Sequence, residues 1–137
     1  MGAKKRRAPL PWPWFLGLFS GLLVFPVWAA IALSNHIDWR FVLSFFAVLS
    51  GLTFLFYWLD KRKAIQDQWR IPEGTLHLLE LLGGWPAALL AQRFLRHKTK
   101  KAKYQLIFWL IVVLHQLTAV EYVAGGRILR SVLRLVQ

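Results

Sequence analysis

The side chains able to do chemistry are gathered between residues 60 and 98. Glu73, His77, Glu80 and Gly84 follow one another at steps of four, three and four, the spacing at which residues share one stripe of a helix. The stripe is acidic and carries one imidazole. Asp60 and Lys61 precede it, Arg70 lies between, and Arg96, His97 and Lys98 follow. Three kinds of chemistry fit this set. Asp60, Glu73 and Glu80 can neutralise the surrounding cations, with His77 filling a buried polar position. Alternatively Lys61, Arg70, Arg96 and Lys98 can donate to an anionic group such as a lipid phosphate beside a helix N-terminus. The third is catalysis by a Glu and His acting as general acid and base, or a metal on His77, Glu80 and His97. There is no HExxH zinc signature, no glycine-rich phosphate loop and no GxSxG nucleophile elbow. No metal site is therefore predicted, and the sequence names no cofactor.

The elements that must position these residues belong to a membrane. Of 137 residues, 57% are hydrophobic and 18% charged, with a mean hydropathy of +0.44, against roughly half and a quarter in soluble chains. One helical crossing takes about 20 residues, so three or four crossings use most of the chain and leave no separate soluble domain. Cysteine is absent, which removes thiolate metal sites and a cysteine nucleophile.

Lys4, Lys5, Arg6 and Arg7 precede an uncharged run broken by Pro26, which predicts a first crossing near 12 to 33. A secretory signal peptide is the rival, because Ala30, Ile31 and Ala32 form a small-x-small pattern. The run is longer than the roughly 7 to 15 residues of a signal core, and more membrane follows. A short, nearly neutral loop leads to a second crossing at 41 to 59, with Tyr57 and Trp58 as interfacial anchors. The polar stretch from Asp60 ends at Pro72 and Glu73, which suit the first turn of a new helix.

The apolar segment 74 to 95 carries His77, Glu80, Gln92 and Arg93, and Gly83, Gly84, Trp85 and Pro86 interrupt it. A full crossing would place the cluster from Arg93 to Lys103 outside, against the positive-inside rule. A helical hairpin or re-entrant segment turning at Gly83, Gly84 and Pro86 is preferred. A last crossing follows near 104 to 121, with His115 and Gln116 toward its far end. Arg127, Arg130 and Arg134 then mark one face of an amphipathic interfacial helix. The expected fold is an all-α integral membrane protein with three to four transmembrane helices, the broken hairpin included. It divides into a basic cytoplasmic tail (1–11), one helical membrane domain (12–121) and a basic amphipathic end (122–137).

With 18 Lys plus Arg against 6 Asp plus Glu the formal charge is +12. Anionic membrane lipids are the first expected partner, each surface cation adding about 1 kcal/mol. Nucleic acid is the second, and oligomeric partners are not specified. A non-enzymatic module whose cytoplasmic polar cluster binds an anion is favoured over a membrane-embedded enzyme, with a small transporter third.

Asp60-Lys61, Ala64, Arg70-Ile71-Pro72-Glu73, Leu76, Gly83-Gly84 and Arg96-His97-Lys98-Thr99 occur in an order that resembles the small bacterial membrane proteins of domain-of-unknown-function family 1294, over roughly residues 52 to 110. The family resembled has no established activity; the expected placement, a multi-pass inner-membrane protein with a cytoplasmic N-terminus, rests on the apolar runs and the basic residues before the first of them. Some members of that family carry a cold-shock domain, whereas this chain begins with a basic tail and an added hydrophobic helix. By position, Asp60, Lys61, Arg70, Glu73, His97 and Lys98 are the residues the resemblance singles out. Glu73 and Arg70 are expected in a dehydrated network that removal of one partner disrupts, and Glu80 is expected to tolerate replacement.

Overall fold

The computed structural model describes residues 10–136 and is helical, with no strand among the described residues. The basic residues of the N-terminal tail, Lys4 to Arg7, lie outside them. The helices are α1 (Trp12–Leu33), α2 (Trp39–Ile65), α3 (Glu73–Leu79), α4 (Trp85–Leu95), α5 (Ala102–Val123) and α6 (Arg127–Val136), with a π-helical turn at Glu80–Gly84 joining α3 to α4. Three of them, α1, α2 and α5, are long and apolar enough to cross a bilayer.

The helix α1 has the expected bounds and α5 begins and ends two residues outside them. The helix of the second crossing runs from Trp39 to Ile65, beyond the 41 to 59 expected for the crossing. Lys61, Arg62, Lys63 and Ala64 continue α2 for another turn and a half beyond Leu59, because these are strong helix formers that water accepts, and Arg62 and Lys63 face the negative end of the helix dipole. Asp60 and Lys61 therefore lie within the helix and not at its end.

Packing pairs α1 with α5 and α2 with α4. Pro26 has no N–H to give the Leu22 carbonyl one turn earlier, and Gln116 Nε2 on α5 donates to that carbonyl at 2.7 Å instead. At the start of α1 the Arg93 guanidinium bonds the Leu10 carbonyl. It also lies 4.9 Å from the ring centre of Trp12 and 5.1 Å from that of Phe15, a cation–π arrangement. The beginning of α1 and the end of α4 are thus at one end of the bundle.

The broken segment doubles back. Gly83 has φ +113°, open only to glycine, and Pro86 sits in the first turn of α4, where its missing N–H costs nothing. The bend packs on Phe46 and Leu49 of α2, and a Cβ on Gly84 would run into Thr53 Oγ1 and the Leu79 carbonyl. Both feet return to Asp60, which contacts Ile71 before α3 and His97 and Lys98 after α4. Phe46 is fourteen residues from Asp60 on α2, so the tip reaches about 20 Å along that helix and the segment leaves at the end it entered. Its non-helical backbone is covered by α2, as hydrocarbon requires.

Tyr57, Leu76, Trp85, Ala88, Tyr104 and Phe108 form the centre of the core. Beyond α5, Gly125 (φ +63°) and Gly126 (φ +73°) turn the chain into α6, whose Arg127, Arg130 and Arg134 share one face while Ile128, Leu129, Val132 and Leu133 are exposed on the rest.

The proline bypass yields a prediction. Gln116→Leu strands the Leu22 carbonyl and should lower stability by about 1 kcal/mol, read as a lower thermal midpoint in detergent, with weaker crosslinking between cysteines placed on α1 and α5. An unchanged midpoint would mean that the carbonyl finds another donor.

Candidate functional site

Thr53, Tyr57 and Asp60 recur at steps of four and three on α2 and are all buried, a polar stripe on an otherwise apolar helix. Two tiers of polar contact are built on it.

The outer tier centres on Asp60, 1% exposed. Its Oδ1 accepts the Ile71 N–H at 3.2 Å, and its Oδ2 lies 2.8 Å from His97 Nε2 and 3.2 Å from Lys98 Nζ. Lys98 Nζ is also 3.3 Å from Glu73 Oε1, which Lys101 Nζ approaches to 2.5 Å. Arg96 (φ +49°) and Lys98 (φ +60°) take the left-handed conformation, uncommon for residues with a Cβ, and this reversal after α4 aims His97 and Lys98 back at Asp60. The Glu73 carboxyl is held below its ordinary value of 4.5, chiefly by the hydrogen bond from Lys101, against partial burial and with the Lys98 charge assisting. Lys61 is half-buried, Arg70 and Arg96 are exposed, and none of the three makes a side-chain hydrogen bond or ion pair among the described residues. Arg70 is therefore not tied to Glu73 as expected; it projects from the loop before Pro72.

The inner tier centres on Glu80, 0% exposed. Its Oε1 accepts from the Tyr57 hydroxyl and, at 2.7 Å, from the Tyr104 hydroxyl; its Oε2 is 2.7 Å from His77 Nδ1. The two phenol oxygens are 2.6 Å apart. Gln92 Nε2 donates to the Tyr57 hydroxyl at 3.0 Å, and Gln105 Nε2 donates to Gln92 Oε1 at 2.6 Å. The His77 ring stacks on Tyr104 with centres 4.2 Å apart, and its Nε2 is buried without a partner among the described residues. Donors from α2, α3 and α5 thus converge on one carboxylate.

Several expectations change here. Tyr57, read as an interfacial anchor, is wholly buried, because α2 continues past it and turns it to the face shared with Asp60. Trp58 does face outward, under the Arg62 guanidinium. Glu80, expected to tolerate replacement, is the most enclosed acid. His97 is drawn to Asp60 and away from His77 and Glu80, and no group of three or more acidic or imidazole side chains is arranged to hold a metal among the described residues. Tyr104, Gln92 and Gln105 were not singled out; a charge in an apolar segment needs partners, and that requirement was the available signal.

A helical, multi-pass membrane protein with a half-depth hairpin stapled by two polar clusters is the class these features define. A family model described as a protein of unknown function (DUF1294) matches residues 50–104. The uncharacterised protein YsdA of Bacillus subtilis (strain 168) is 36% identical over 64 residues, 47% of this chain and 72% of that protein. The chain belongs to this family. The matched segment contains the side chains of both tiers up to Tyr104, while α1, α6 and most of α5 lie outside it. No solved structure matches the chain.

The two acids should separate on replacement. Glu80→Ala leaves two phenols and an imidazole facing a void and should cost about 3 to 5 kcal/mol, whereas Glu73→Gln breaks a half-exposed, solvent-screened contact and should cost no more than about 1 kcal/mol. Because the Glu73 value is lowered on folding, its contribution is complete above pH 4.5 and fades as pH falls through the lowered value. Glu73→Gln should remove that acid-side loss. Thermal midpoints of the purified variants across pH check both statements, and equal costs for the two acids would contradict the burial argument.

Proposed function

We propose that this is a non-enzymatic module of the bacterial inner membrane whose cytoplasmic basic face holds anionic lipid headgroups. One observation carries the reading. At the Asp60 end Asp60 is occupied by Ile71, His97 and Lys98, and Glu73 by Lys98 and Lys101, which leaves Asp67 as the one acid there without an ion pair among the described residues. Lys61, Arg62, Lys63, Arg70, Arg96, Lys100 and Lys103 remain there without an acidic partner among the described residues. The opposite end carries Arg40, Arg127, Arg130 and Arg134 with Asp38 and Glu121. By the positive-inside rule the Asp60 end, with the start of α1, is cytoplasmic. Exposed Trp58 and Trp69 lie among these cations, and aromatics of this kind favour the headgroup layer. That setting suits lipid phosphates better than a nucleic acid in bulk water.

Orientation is tested by cysteine labelling of intact cells: Lys98→Cys should be unreachable from outside and His36→Cys reachable. Ligand class is tested by thermal midpoints in uncharged detergent. Phosphatidylglycerol should stabilise the protein more than phosphatidylcholine, with the difference shrinking in high salt and in a Lys61→Gln, Arg70→Gln, Arg96→Gln variant. Equal shifts from both lipids would sink the reading, and selective stabilisation by an RNA oligonucleotide would transfer the face to nucleic acid.

The partnerless His77 Nε2 favours one competing reading, an acid–base enzyme in which Glu80 orients the imidazole for proton transfer. Lipids of membranes containing the protein would then differ in mass from those of membranes containing a stably folded His77→Gln form. Identical lipid profiles dispose of it.

A further inference from the structure

The hairpin fills only the Asp60 half of the bundle, and beyond its tip α1, α2 and α5 line an apolar, partly open cavity of about 800 Å³. Gly83, Trp85 and Pro86 line it from the hairpin, and Trp39 and Tyr122 from the ends of α2 and α5. Its size falls within the roughly 300 to 1,000 Å³ of small-molecule sites, which are mostly apolar with a few placed polar groups.

His115 supplies such a group. It lines the cavity eight residues before the end of α5, about 12 Å along the helix axis, so it lies at hydrocarbon depth. Its Nδ1 is 2.9 Å from the Ile111 carbonyl. A carbonyl can only accept, so Nδ1 carries the hydrogen and Nε2 of the neutral ring is left as an acceptor. Two other polar residues of the lining behave alike: Thr118 gives its hydroxyl hydrogen to the His115 carbonyl at 3.0 Å, and Ser34 gives its own to the Ile31 carbonyl at 2.6 Å. These three leave acceptor capacity toward the cavity, while Ser50, Tyr122, Trp39 and Trp85 of the same lining add hydroxyl and indole N–H groups; a hydroxyl head can both donate to the first set and accept from the second.

We propose that the cavity binds an apolar, bilayer-dissolved molecule whose polar head is a hydroxyl donor, in the class of prenylated quinols and long-chain alcohols, with its O–H on His115 Nε2. A phospholipid fits less well, because the phosphate and ester oxygens of its head can only accept and leave His115 Nε2 without a donor. The site is at the opposite end of the bundle from the basic face, so it does not rest on the headgroup reading.

The test uses the purified full chain in detergent, with a short-chain prenylated quinol, its dimethyl ether and a long-chain alcohol as probes, and retention read by native mass spectrometry. The quinol or the alcohol should be retained about tenfold better than the ether, the order of one hydrogen bond to a buried acceptor. His115→Leu should bring the hydroxyl probes down to the level of the ether. Ala119→Phe, which fills the cavity, should abolish uptake of all three. Preference for the quinol or for the alcohol assigns the shape of the head, and either supports the proposal. Equal retention of quinol and ether by the unmodified chain overturns it, as does unchanged binding in Ala119→Phe or displacement of every probe by phosphatidylcholine.

Discussion

Glu80 lies three residues before the bend of a hairpin, shut away from solvent in a segment that is otherwise apolar. An ionised carboxylate in such a place costs several kcal/mol unless its oxygens are filled, and here Tyr57, Tyr104 and His77 fill them. Those donors come from α2, α5 and α3. Apolar helix faces in lipid have little reason to choose one another, since a leucine gains little by exchanging an acyl chain for another leucine. The carboxylate supplies the choice: its oxygens are filled when α2, α5 and α3 bring Tyr57, Tyr104 and His77 together. Small residues then let the backbones close, with Ala87, Ala88 and Ala91 buried on α4, which packs on α2.

The hairpin's limited depth decides the rest of the architecture. Because the bend stops at Phe46 and Leu49, the bundle is five-stemmed at the Asp60 end and three-stemmed at the other. The crowded half contains Asp60, Glu73 and Glu80 with their partners, and the sparse half contains the cavity. Charge leans the same way: most of the lysines and arginines without an acidic partner among the described residues lie at the crowded end. α1 is an independent addition to this plan. It touches the rest through devices that need no particular acid, namely the Pro26 bypass to Gln116 and the Arg93 contacts at its start.

The crossings were legible because an uncharged run of some 20 residues has few other solutions, and the hairpin because Gly83, Gly84 and Pro86 stand where a straight helix would carry a basic cluster to the wrong side. The end of α2 was not: Asp60 to Lys63 look like a boundary, yet charges stop a crossing without stopping a helix. The acidic stripe is regular as far as Glu80, where His77 and Glu80 meet at i,i+3; position along α3, about 10 Å over seven residues, leaves Glu73 at the surface and Glu80 inside, and the π-turn that begins at Glu80 displaces only Gly84. Tyr57 looks the same as an anchor or as a buried donor, and only its register with Thr53 and Asp60 tells them apart. Pairing of Gln92 with Gln105, or of either tyrosine with Glu80, joins residues far apart in one chain whose polar types have many equivalent partners.

Lys98 is where the two tiers meet. Its ammonium reaches Asp60 and Glu73 and lies 4.8 Å from the centre of the Tyr104 ring, while its backbone carbonyl accepts Gln105 Nε2 at 3.2 Å. Gln105 in turn holds Gln92, which holds the Tyr57 hydroxyl beside Glu80. The left-handed backbone at Lys98 is what allows side chain and carbonyl to serve both clusters at once. A shift of this residue in either direction would therefore loosen an ion pair at the surface and a hydrogen bond in the interior together. The surface cluster and the buried carboxylate are one connected structure, and the loop from Arg96 to Lys101 is set by the interior as firmly as by the membrane surface it faces.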